Sequence, residues 1–169
     1  MRRRKRTLVA LLIAATGLGG WTVINPGHVS HVLGLEVASN SSVTPGPDLT
    51  AGALPHVRLT EQDPVEKATV YEVRVKNMTA GPVRAKSLVL VVDRVTDNRN
   101  GEEVGHLIDV LNADGHTRDG KSYYHIEASH GTWIGPEEKA KPIRVKMRER
   151  DKLPYFTPSF RVREVPLQG

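Results

Sequence analysis

The residues of this chain best equipped for chemistry gather in one stretch, Asp109-Val110-Leu111-Asn112-Ala113-Asp114-Gly115-His116-Thr117-Arg118-Asp119-Gly120. Carboxylate and amide oxygens with one imidazole suit a divalent cation, and Asp114, His116 and Asp119 are the candidate ligands. The spacing is not that of a helix-loop-helix calcium site. Val110 stands two positions before Asn112, where an acidic ligand is needed, and no bidentate Glu closes the loop. The pairs Asp114-Gly115 and Asp119-Gly120 are also what tight hairpin turns use to reach positive φ, so turn formation is the competing use of the same residues. His106, His116, His125 and His130 fall within 25 residues, and a zinc or iron centre would need three ligands to converge. His28 and His31 could share a metal only on a helix, with no third ligand nearby. The chain has no cysteine, which removes thiolate ligands, disulfides and a Cys nucleophile. No G-x-S-x-G elbow is present, which argues against an acyl-transfer enzyme. The residues thus point to a non-enzyme without a cofactor, a bound divalent cation being the alternative.

A second group is basic. Arg144, Lys146 and Arg148 project from one face of an alternating run, and Arg161 and Arg163 do so from another. If the two runs are neighbours, these five residues merge into a patch that fits an acidic protein or lipid headgroups. Glu137, Glu138, Glu149 and Asp151 stand close enough in sequence to neutralise it. A solvated sheet surface is the simpler use, and charged edges also discourage unwanted strand pairing. Nucleic acid is not the expected partner. The chain has 24 Lys and Arg against 19 Asp and Glu, and the run Arg2-Arg3-Arg4-Lys5-Arg6 accounts for the whole excess. The remainder lacks the surplus of positive charge that phosphate binding requires.

The elements that must position these groups read as strands. Tyr71-Glu72-Val73-Arg74-Val75-Lys76 alternates apolar and charged residues, as do Ile143-Arg144-Val145-Lys146-Met147-Arg148 and Ser159-Phe160-Arg161-Val162-Arg163. Leu88-Val89-Leu90-Val91-Val92 is apolar on both faces, which predicts a central strand between two layers or one covered by a loop. Turn signals at Asn77 to Pro82, Asp97 to Gly101, Asp114-Gly115, Asp119-Gly120, Gly135-Pro136 and Pro154 separate the runs. Tyr155, Phe156 and Phe160 are core candidates. No segment beyond residue 55 keeps a helical period for three turns. The expected fold is all-β, an antiparallel sandwich of about seven short strands over residues 56–169.

Ahead of that domain, residues 7–35 carry no Lys, Arg, Asp or Glu, and the apolar part at 7–24 is near the roughly 20 residues that span a bilayer core. Behind a basic cluster at 1–6, it predicts a single-pass signal anchor with a cytoplasmic N-terminus, and membrane contact through residues 7–24. Cleavage near Ala15 to Gly19 is the alternative. Residues 25–55, rich in Pro, Gly, Ser and Asn, read as a linker. Asn40-Ser41-Ser42 and Asn77-Met78-Thr79 match the glycosylation acceptor pattern.

The order Val75-Lys76-Asn77-Met78-Thr79, Gly81-Pro82-Val83, Leu88 to Asp93, Gly120 to Tyr124, Trp133 to Glu138, Pro142 to Val145 and Pro154 to Pro158 resembles the immunoglobulin-like or fibronectin type III-like modules of exported bacterial proteins. The resemblance covers about residues 66–165 and implies spacing, adhesion or protein contact. In layout the chain is also similar to small single-pass accessory proteins of bacterial envelope and magnetosome membranes. The resulting expectation is a membrane-anchored accessory or scaffold protein on the periplasmic side of an inner-type membrane, whose β-sandwich binds another envelope protein. A metal-handling domain and a secreted adhesion module are the alternatives. The protein-binding reading predicts an exposed apolar or charged strand edge.

Overall fold

Period-two alternation places Tyr71, Val73 and Val75 on one side of their strand and Glu72, Arg74 and Lys76 on the other, and burial follows that division. The computed structural model describes residues 42–150 and 155–165. The strands are β1 Ser42–Val43, β2 Ala53–Asp63, β3 Ala68–Asn77, β4 Val83–Arg84, β5 Leu88–Asp97, β6 Ile108–Val110, β7 Gly115–Thr117, β8 Ser122–His125, β9 Trp133–Ile134, β10 Ile143–Glu149 and β11 Phe156–Glu164. Only two short 3₁₀ turns, Ala85–Ser87 and Gly105–Leu107, interrupt them. The fold is all-β. Among the described residues no helix is long and apolar enough to cross a membrane. The expected signal anchor, at 7–24, and the segment from there to residue 41 lie outside the described residues.

One sheet has the order β1-β7-β8-β5-β11, a second β2-β3-β10-β6, and β4 pairs with β9. All pairings are antiparallel except β1 with β7. The two larger sheets share one core. Val73, Val75, Val145 and Met147 come from the four-stranded sheet, and Leu88, Leu90, Tyr124, Phe156, Phe160 and Val162 from the five-stranded one. Each fully buried Val or Leu contributes about 1.5–3 kcal/mol, so this cluster dominates stability.

β5 is buried on both faces because a crossing segment covers its outer side. Val89, Val91, Tyr123 and Val165 form a second cluster against which Val43 packs. From β1 the chain then runs along β11, where the Gly46 amide donates to the Glu164 carbonyl at 2.7 Å and the Leu49 amide to the Val162 carbonyl at 2.8 Å. Gly46 permits that approach, since a Cβ there would stand 3.1 Å from the Glu164 oxygen. Residues 42–55, expected as linker, are therefore part of the folded domain. Their Pro and Gly residues serve close backbone contact rather than freedom.

Two bulges matter for the surface. Relative to its partner, β5 carries one extra residue at Asp93 and β2 one extra at Thr60. The hairpin between β7 and β8 closes on Gly120 at φ 79, as its Asp-Gly pair predicts. Asp114-Gly115 is not a turn of that kind: Gly115 opens β7 and is buried.

Candidate functional site

A polar cleft and, among the described residues, a free sheet edge stand out. The cleft, about 480 Å³, lies where β5 bulges at Asp93 beside the β7–β8 hairpin and the β6 region, and its charged walls include Asp93, His106, Asp109, His116, Asp119 and Lys121. Its carboxylates are engaged. Asp93 accepts from Lys121 Nζ and Arg161 Nε, each at 2.8 Å. Burial pushes its carboxyl up, but those two cations together hold it below the usual range. Asp109 is lowered by hydrogen bonds from Arg150 and then Arg148, and Asp119 chiefly by the Thr117 hydroxyl. Tyr124, which hydrogen-bonds Asn112 Oδ1 at 3.0 Å, is raised by burial. These shifts fix the carboxylates as anions and the tyrosine as neutral. General acid–base work asks for the reverse, groups brought toward neutral pH.

The predicted metal ligands are distributed along the β7–β8 hairpin. Asp114 precedes β7 and its Oδ2 accepts from the His125 amide at 2.6 Å. His116 is exposed on β7, and beyond it Asp119 Oδ1 accepts from Thr117 Oγ1 at 2.6 Å. His125 lies edge-on to Tyr123 at 5.4 Å, two positions along the same strand. Among the described residues no three His, Asp or Glu side chains converge closely enough to hold a metal ion.

The predicted basic patch is divided. β10 belongs to the four-stranded sheet and β11 to the five-stranded one, so their outward faces do not merge. Each cation also has a nearby partner. Arg144 reaches Glu61 at 2.9 Å, Lys146 reaches Glu66 at 2.7 Å and Arg148 reaches Asp109 at 3.4 Å. Arg161 bridges Asp48 at 2.7 Å and Asp93 at 2.8 Å, while Arg163 Nε donates to the Gly46 carbonyl at 3.0 Å. These acids come from distant segments. Of those expected to neutralise the patch, Glu137 pairs with Lys76 and Glu138 accepts from the Gly135 amide; Asp151 lies outside the described residues. The acceptor-like Asn77 is closed to glycosylation as well: it is 2% exposed, and its Nδ2 donates to the carbonyls of Gly81 and Ile134, each at 2.9 Å. Asn40 lies outside the described residues.

The edge is β2, a feature that sequence reasoning missed. It is the outer strand of its sheet and runs for 11 residues, roughly 35 Å at the usual rise. Val57 and Leu59 stand opposite Val73 and Tyr71, so they point to the core side, yet they are 44% and 48% exposed. Their main-chain groups face outward. The Val75 carbonyl is taken by Ala140 on the far side of β3, which makes Pro55 and Val75 a non-hydrogen-bonded pair. Alternation then gives Val57 and Leu59 the same status and directs their N–H and C=O groups to the open edge. Pro55, without an N–H, is tolerated there for the same reason and is the signal that marks an edge. No family model matches this chain, nor does a curated protein or a solved structure.

Proposed function

We propose that the chain is a membrane-anchored, non-enzymatic accessory protein whose exported domain, an immunoglobulin-like or fibronectin type III-like sandwich, binds another envelope protein through β2. The observation that carries this reading is the β2 edge, where outward main-chain donors and acceptors lie beside exposed Val57 and Leu59. Such an edge accepts an added strand: main-chain bonds supply affinity and alternate side chains supply selectivity. The basic cluster at 2–6 and the apolar run at 7–24 support single-pass anchoring with the domain on the periplasmic side. The engaged carboxylates of the cleft fit a binding protein better than a catalyst.

The test places a photoreactive residue at Leu59 or, as control, at exposed Glu102, in the full-length chain in native membranes. A stoichiometric protein adduct specific to position 59, lost with Val57→Lys, supports the reading. Equal labelling from both positions, or none, contradicts it.

A further inference from the structure

We propose that the β2 edge pairs with β2 of a second copy of this chain, antiparallel about a two-fold axis near Thr60. The inference rests on the reading of β2 as a protein-contact edge and makes the envelope protein bound there a second copy of this chain. Arg58 stands opposite Glu72 and, past the bulge, Glu61 stands opposite Val70, with His56 opposite Arg74 and Asp63 opposite Ala68. Glu72, Arg74, Val70 and Ala68 occupy alternate positions of β3, so the extra residue at Thr60 keeps His56, Arg58, Glu61 and Asp63 on one face of β2. That face carries its cation, Arg58, in its first half and its anions, Glu61 and Asp63, in its second; within one copy Arg58 lies 3.5 Å from Glu72 and Glu61 2.9 Å from Arg144.

Antiparallel pairing about a central two-fold sets each basic half against the partner copy's acidic half. Parallel pairing through the same edge turns one copy over, which lays the charged face of one beside the apolar face of the other and loses the charge match. On the opposite face the same axis brings the Leu59 side chains of the two copies together, with Val57 opposite Gln62 of the partner copy, and removes the exposed surface of Leu59 from water. Pro55 ends the row of outward donors on one side, so the contact is short. The far edge of the sheet is β6, only three residues long, which leaves β2 as the edge to use. A self-complementary contact through one edge closes as a dimer and does not propagate.

The chain's lack of cysteine makes the test clean. A single Thr60→Cys in the full-length protein in native membranes introduces one thiol per copy, and a disulfide-linked species of twice the chain's mass that contains no other protein marks its meeting with the same thiol of another copy. Mild oxidation is expected to give a disulfide-linked dimer, whereas Glu102→Cys stays monomeric; Leu59→Cys serves as a second site should Thr60→Cys fold poorly. Adding Arg58→Glu is expected to reduce the dimer yield at least tenfold, and Arg58→Glu with Glu61→Arg to restore it. Absence of a dimer at both positions, equal yield from Glu102→Cys, or no recovery in the double charge reversal overturns the proposal. If self-pairing fails while the photoreactive residue at Leu59 captures a different protein, only the identity of the occupant falls. If neither contact forms, the protein-contact reading falls as well.

Discussion

Asn77 holds together three parts of one end of the domain. Besides its donations to Gly81 and Ile134, its Oδ1 accepts from the Thr79 amide at 2.9 Å and hydroxyl at 2.7 Å, and its own amide and carbonyl meet Glu138 and Glu137. A buried amide satisfied on every side is costly to delete, because its partners are left without water. Asn77→Ala is expected to lower unfolding free energy by about 2–3 kcal/mol, read from the urea midpoint at unchanged slope. A second residue prediction concerns acid. The Thr50 hydroxyl and amide, then Arg161, hold the Asp48 carboxyl down to about 2. A depressed folded-state value gives stability that is present above the unfolded value of 3.8 and lost as pH falls toward 2. Thr50→Val is therefore expected to flatten part of the acid limb between those values, with little change in its shape above it. Stability of both proteins measured from pH 7 to pH 2 checks this; identical acid limbs would refute it.

At the level of elements, β3, β10 and β11 are legible in the sequence because their alternation is unbroken and one face is wet. β5 is legible as doubly covered, though what covers it is not: the strap formed by residues 42–52 looks like linker, since Gly46 and Pro47 break any period while making backbone contact with β11. Removing residues 1–51 is expected to bare Val89, Val91 and Tyr123, lower the thermal midpoint by several degrees and raise binding of an apolar dye. An unchanged midpoint would show that the strap is dispensable. β2 escapes sequence reading for a local reason: Pro55 and the bulge at Thr60 both interrupt its alternation. The basic patch misleads for a non-local one. Which sheet a strand joins depends on pairings such as Arg148 with Asp109, 39 residues apart, and no local pattern encodes them.

At the scale of the whole molecule, the described residues join two antiparallel-rich sheets over one core and leave two surfaces distinct in chemistry. The outward face of the four-stranded sheet is a lattice of exposed ion pairs, Arg58 and Arg74 with Glu72, Arg144 with Glu61, Lys146 with Glu66 and Arg148 with Asp109. Pairs of that kind add about 0–1 kcal/mol each and mainly keep the face wet. The β2 edge departs from this pattern by combining open main-chain groups with apolar side chains; Pro55, the bulge at Thr60 and the charges of Arg58, Glu61 and Asp63 confine the stretch that invites pairing to the neighbourhood of Val57 and Leu59. If β2 is the contact surface, it is covered when the protein is at work in its membrane. Hydrogen exchange at the Val57 and Leu59 amides of the full-length chain in native membranes reads that covering at the bonds themselves. Protection at least a hundredfold above that of an open amide, abolished by Val57→Lys, is the expected result; exchange at the rate of unpaired, solvated amides would mean that nothing pairs with β2.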